Sequence, residues 1–394
     1  MKNVSILLSL LFISTAHAEK WNRSNNPDYF NVIIGTSVEK KFENLPLRAT
    51  LKDDRFGWSE TYWPSYLGGI AYRWNHPNPN PFNYDFHTKE ELLSMSQEEI
   101  SQLSPAELYD IAMGDYSYKL TRKVLKKFSP DELWWEGICH GWSLSSLNYP
   151  EPDKTILTNS DGIKVPFGSS DVKALLSMHD SYNSRGVYAR VGERCSAEGK
   201  VNGERSSEDS EDVPTNSEAL RPSCRDVNPG AFHIVLGSLI GLHSKGFVAD
   251  VDRFNDVWNQ PVTAYESELI TSYPLTKMDI KNGVTKKILV KTKMIYGDEL
   301  QFFNQQAFDD GEVNFVSKDP VTGTASQAFK NKNYEYVLEL NRSGEIIGGE
   351  WLSETRPDMI WMKTKDNGFN SNALPLAGLN RIYKPVKRFN ASNI

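Results

Sequence analysis

The sequence predicts an α+β fold, with a helical first half and a strand-rich second half. Helix start and stop signals cluster before about residue 185, and short alternating or β-branched runs take over from Phe247. The size of the core is bounded by composition. The 394 residues are 39% hydrophobic and 24% charged, which suits about two to three structural units.

Residues 1–18 read as a signal peptide: Lys2 opens a short positive region, residues 4–13 are apolar, and Ala16-His17-Ala18 fits a small-x-small cleavage site. Residues 19–81 are rich in Trp, Tyr, Pro and Asn and predict irregular structure. The stretch Pro77-Asn78-Pro79-Asn80-Pro81 cannot be helical and ends that segment. A core unit is expected over 82–270. Within it, helices are predicted at 90–103, from Ser104-Pro105 to a stop at Gly114, at 120–128, and at 171–182 with Ser170 as the cap.

Between Cys195 and Cys224 the chain is acidic and serine-rich and cannot bury much, so 196–223 is expected as a surface loop. A Cys195–Cys224 disulfide would clamp its ends, worth about 3 kcal/mol in the chain-entropy view. Residues 271–394 are expected as a β-rich region packed on the core. There, 286–296 carries many lysines and suits an edge strand. Runs at 334–340 and 345–352 flank Asn341-Arg342-Ser343-Gly344 and predict a hairpin.

The formal net charge of −7 excludes a general nucleic-acid binder, which needs a basic stripe for the phosphates. No apolar run approaches the roughly 18 residues that span a bilayer. With the leader, this predicts a secreted or periplasmic protein in an oxidising space, expected to be monomeric. Three cysteines there leave one unpaired if two bridge.

That remainder is Cys139, in Gly137-Ile138-Cys139-His140-Gly141-Trp142. A helix starting here would set the thiol at a positive dipole end and lower its pKa. A nucleophilic cysteine needs a base and a group to orient it. His233 stands alone in the apolar run 231–242. Asp250 and Asp252 share one face of the strand expected at 247–252, so either could meet the His233 ring. His140 is a weaker base, because adjacent helical residues do not face each other. Asp250-x-Asp252-x-x-x-Asp256 begins like a calcium loop, but Phe254 occupies a ligand position and the glycine is missing.

The run Val257-Trp258-Asn259-Gln260-Pro261-Val262 resembles the elicitor peptide core of the secreted Phytophthora cell-wall transglutaminases. The blocks 62–74 and 103–110, Cys139-His140-Gly141-Trp142, Asn228-Pro229-Gly230, and Gly348-Gly349-Glu350-Trp351 are similar to the same family and its bacterial homologues. The similarity covers about residues 55–365. It implies a protein-glutamine γ-glutamyltransferase with a papain- or transglutaminase-like site and a Cys139-His233-Asp250 triad, Asp252 being the alternative carboxylate. It further implies an oxyanion held by N–H groups at the start of the Cys139 helix, with Trp142 or Trp135 adding an indole. Trp258, Asn259, Gln260 and Pro261 would form an elicitor-like loop.

The expected partners are proteins with accessible Gln and Lys side chains. The chemistry requires no cofactor, and a divalent cation such as calcium is the one left open. Two competing readings remain: a thiol hydrolase (protease or glutamine deamidase) with the same triad, and a non-catalytic secreted binding protein.

Overall fold

The computed structural model describes residues 23–52, 56–73, 80–193, 226–251, 256–300, 328–369 and 373–386. The predicted leader, Asp252, Cys195, Cys224 and the acidic stretch between them lie outside these residues. In chain order the described elements are α1 (Asn31–Ile34), β1 (Arg48–Thr50), α2 (Lys89–Ser94), α3 (Gln97–Ser101), α4 (Pro105–Ala112), α5 (Lys119–Leu125) and α6 (Cys139–Asn148). They continue with β2 (Thr155–Thr158), β3 (Lys164–Phe167), α7 (Ser169–Tyr182), β4 (Tyr188–Gly192), α8 (Pro229–Val235) and β5 (Phe247–Asp250). The last are β6 (Asn259–Tyr273), α9 (Lys277–Lys281), β7 (Lys286–Asp298), β8 (Ala328–Leu340), β9 (Ile346–Trp351), β10 (Met359–Lys363) and α10 (Leu379–Ile382).

The mixed helix-and-sheet architecture is the one expected. Capping chemistry writes the helical half. Ser104 accepts from the Glu107 N–H while the Glu107 carboxylate reaches back, with Pro105 in the first turn and Gly114 in the left-handed region beyond the end. The single helix expected over 90–103 is two. Ser96 starts a second capping box with Glu99, so the backbone breaks at Met95–Ser96 and begins again. The predicted cap of α7 is also displaced: Gly168 is the N-cap, and its N–H donates to Asp171.

Eight of the described strands form one antiparallel sheet in the order β4-β10-β5-β6-β7-β8-β9, with β1 added on β6, and β2 pairs with β3 in a separate two-stranded sheet. Position 270 therefore falls inside β6, and strands from both sides of that expected boundary share the sheet. The lysine-rich run is not an edge strand. β7 lies between β6 and β8, and Lys291 and Lys293 are exposed along it. Alternation explains this, since a strand with one face in water can carry lysines there and bury Ile288, Val290 and Met294 on the other.

Two cores result. One fills the face of the sheet under α8, where Phe232, Val235, Leu236 and Leu239 meet Phe247, Val262, Tyr334 and Tyr336. The other lies among α4, α6 and α7 and contains Cys139, Trp142, Leu108 and Leu175.

Candidate active site

Cys139 is the first residue of α6, which packs on α7 and on the start of β6. The entry to α6 is pinned from the aromatic N-terminal segment: Ile138 donates to the Tyr62 carbonyl at 2.7 Å and Ser65 to that of Glu136 at 2.8 Å. Gly137 is needed for space, because a Cβ there would stand 2.5 Å from the Tyr62 carbonyl oxygen. Gly141 plays the same part against α7, where a Cβ would come within 2.1 Å of the Ser177 carbonyl oxygen. Together they let the nucleophile's turn seat between two layers.

Among the described residues, the sulfur meets Val257 and Asn259. Its S–H points at the Val257 carbonyl, 3.7 Å away, and the Asn259 Nδ2 donates to Sγ at 3.5 Å. The orientation of that amide is determined: the Trp361 indole, which can only donate, bonds the Asn259 Oδ1 at 2.8 Å. The thiol is not the low-pKa group expected from its helix position. Burial pushes it up to about 11, the Asn259 bonds pull the other way, and the charges of Glu299 and Asp250 add to the rise. In the resting protein Cys139 is a thiol.

Asp250 and Asn259 are cross-strand partners at the β5–β6 end. Side chains of such a pair share a face, so Asp250 stands on the side of the sheet that carries Cys139. Its carboxylate is buried and accepts the Trp258 N–H at 3.3 Å. Trp258 meets the Tyr62 ring edge-on at 5.5 Å and the half-exposed Trp134 ring at 5.8 Å, forming an aromatic wall. Gln260, next along β6, donates to Glu299 at 3.0 Å, and burial raises Glu299 to about 7.

His233 is elsewhere. It lies on α8, bonds the Tyr336 hydroxyl through Nδ1 at 2.8 Å, and stacks on Phe42 at 5.6 Å. The register shows why it cannot join Cys139. Tyr336 pairs with Val290, Thr292 with Ser267 and Tyr296 with Val262, so these residues line the face under α8. Asn259 is three residues from Val262 and points to the opposite face. The sheet separates the histidine from the thiol, which corrects the Cys139-His233-Asp250 expectation at its middle member. Burial lowers His233 to about 4, as suits a neutral core imidazole. His140 is also pushed down, by burial and then by Lys363.

The expectations for Trp142 and for the elicitor-like loop change. Trp142 cannot serve an oxyanion, since its indole N–H donates to the Trp58 carbonyl at 3.1 Å and the side chain is fully buried. The elicitor-like stretch is not a loop: Asn259, Gln260 and Pro261 open β6 and are buried, with Trp258 just before them. Among the described residues there is no His, Cys, Asp or Glu cluster able to hold a metal ion. Asn259, Trp361, Tyr62 and Glu299 were not singled out for the chemistry from sequence. Asn259 carried a signal through the elicitor-like motif, and Tyr62 through the family-like block 62–74.

The family model described as "Transglutaminase elicitor" matches residues 132–387. The chain belongs to the transglutaminase elicitor family. Its fold is similar to that of the GP42 transglutaminase from Phytophthora sojae, with a TM-score of 0.62 and 21% identity over 92% of this chain and 98% of that one. No curated protein matches significantly. The family span holds Cys139, Asp250 and the whole of β6, whereas the Tyr62 segment that pins α6 precedes it. No helix among the described residues of this elicitor-family chain is long and apolar enough to cross a membrane.

Proposed function

We propose that this elicitor-family protein is an exported thiol acyltransferase of the transglutaminase type, with Cys139 as nucleophile and Asp250 as its proton acceptor. One observation carries the reading: a thiol at a helix start is held by an oriented amide on the face of the sheet that also carries a buried carboxylate. Sγ attacks the carboxamide carbon of a glutamine side chain as its proton passes to Asp250. The resulting oxyanion meets the first N–H groups of α6, with the Asn259 amide beside it as a further donor. Asp250 then returns the proton to the leaving nitrogen, ammonia departs, and a thioester remains. An incoming lysine amine attacks that carbonyl, the C–S bond breaks, and the isopeptide leaves.

A carboxylate takes the part that the sequence assigned to His233. The high proton affinity of the resting thiol means that transfer accompanies attack and does not precede it. The aromatic wall of Tyr62, Trp134 and Trp258 supports amine over water as the acyl acceptor. The leader-like residues 1–18 support export.

The test is incubation of the protein with a glutamine-donor protein and a labelled primary amine. Incorporation that Cys139→Ala abolishes is the expected result. Ammonia release without incorporation would mean a hydrolase, and no ammonia at all would mean a non-catalytic protein.

A further inference from the structure

Beyond Ser267, β6 has no partner on its β1 side among the described residues and runs on beside β7 to Tyr273, where α9 folds over the end of the pair. Six of the sixteen exposed large apolar side chains among the described residues fall on this arm: Leu269, Ile270, Tyr273, Leu275, Met278 and Ile280. Apolar side chains exposed singly need no explanation, whereas this cluster within twelve residues marks a surface for binding.

The tip is seated on the sheet. Thr276 caps α9 by accepting the Asp279 N–H at 3.1 Å, and the buried Asp279 carboxylate takes the Lys287 Nζ at 3.3 Å. Lys287 also meets Glu339 of β8 at 3.4 Å, the Val284 N–H donates to the Asp279 carbonyl at 3.0 Å, and the Thr285 N–H to that of Leu340 at 2.8 Å. With Asp279 turned inward, Met278 and Ile280 on either side of it face out, 51% and 63% exposed. Lys277 and Lys281 stand four apart and share one side of the same turn. From Leu269 to Lys286 the exposed charges are Lys277, Lys281 and Lys286, and the single acid is the buried, paired Asp279. The exposed charge of the tip is therefore wholly positive, on a chain whose net charge is −7.

We propose that the β6–α9–β7 tip docks on an anionic lipid bilayer, with Leu275, Met278 and Ile280 entering it and Lys277, Lys281 and Lys286 meeting the lipid phosphates. Apolar side chains interleaved with lysines suit that boundary, where acyl chains lie beneath a negative headgroup layer. A second copy of the chain fits less well. A two-fold contact through the tip would bring Lys277 and Lys281 close to their own counterparts, and like charges repel. The tip lies roughly 40 Å along β6 from Asn259, at about 3.3 Å per residue. Docking therefore engages the end of the strand remote from the Cys139 site.

The test is sedimentation of the full-length protein with vesicles of phosphatidylcholine alone and of equimolar phosphatidylcholine and phosphatidylglycerol. On the anionic vesicles the partition coefficient should fall about tenfold or more in Met278→Ser/Ile280→Ser. It should fall about fivefold in each of Lys277→Gln and Lys281→Gln, and the lysine effects should disappear on phosphatidylcholine. Any affinity carried by the leader-like residues 1–18 is common to parent and variants and cancels in these ratios. Ratios near one overturn the proposal. A parent that binds neither vesicle also overturns it, and a parent dimer that Met278→Ser/Ile280→Ser makes monomeric would then assign the tip to a second copy. The substituted side chains are exposed, so thermal unfolding should be unchanged. Should the double variant unfold, Leu275→Ser, outside the helix, must show a loss of binding of the same sign.

Discussion

Trp361 donates its indole N–H to the Asn259 Oδ1 at 2.8 Å, and this bond turns the other end of the amide toward the Cys139 sulfur. An amide alone could present either end; an indole next to it leaves only one. β10 thus reaches across the sheet face to orient a side chain of β6 that touches the nucleophile. The Trp361→Phe variant keeps the ring volume and removes the donor. Its kcat/KM for amine incorporation should fall about tenfold to a hundredfold, the scale of a misplaced reacting group, with a normal circular dichroism spectrum. An unaltered rate would show that the orientation is held in another way.

Cys139 should be slow to alkylate at neutral pH. With the thiol pushed up to about 11 by burial, the rate of iodoacetamide labelling should rise about tenfold per pH unit from pH 7 to 10. A plateau reached near pH 8 would contradict this and restore the dipole-lowered thiolate.

Asp250→Asn leaves the Trp258 N–H an acceptor but removes the proton acceptor. Single-turnover release of ammonia should drop about 10²- to 10⁴-fold while the variant remains folded. Retention of the rate would move the proton-handling role to another group.

His233 predicts stability, not chemistry. It is neutral in the fold with a value of about 4, against about 6.5 in the unfolded chain. The depressed folded value means that its contribution is present above about pH 6.5 and is lost as the pH falls toward 4, about 3 kcal/mol in all. Urea unfolding of the protein and of His233→Gln at pH 7 and pH 4 isolates this window, and the variant should lose less on acidification. Its activity per folded molecule should stay within a few-fold. A loss of a thousandfold would return the histidine to the reaction.

Arg73 and Glu107 form a buried pair, 5% and 0% exposed, in which Nε meets Oε2 at 2.7 Å and the second guanidinium nitrogen meets Oε1. The Arg73 head also lies 4.0 Å over the Tyr84 ring, and Glu107 caps α4. Arg73→Met should destabilise by about 3–5 kcal/mol, because it strands a buried carboxylate. Arg73→Met/Glu107→Gln should recover part of that loss in thermal unfolding. A single variant as stable as the parent would count against the pair.

Much of the fold was legible because its signals are local. The Ser104 and Ser96 capping boxes, the Pro105 start, the Gly114 stop and the 334–352 hairpin each depend on residues a few positions apart. The break at Met95 was legible in principle too, since Ser96 and Glu99 stand three apart like Ser104 and Glu107. The lysines of β7 misled because an edge strand and a central strand with one wet face share the same pattern. Alternation says which side chains of a strand go together, and nothing about what lies along its edges.

The candidate site divides along the same line. Cys139 was readable from its glycines, its helix start and the cysteine count, and the Asp250–Asp252 pair of candidates from the short strand expected to carry both. Those are properties of adjacent residues, and no packing was needed to see them. That His233 faces Tyr336 and Phe42, that Asn259 takes the place beside the sulfur, and that Trp361 turns its amide were decided only when distant strands paired. The cause is the two-sidedness of a sheet: α8 covers one face and α6 the other, and a chain read in one dimension does not record which face each helix covers.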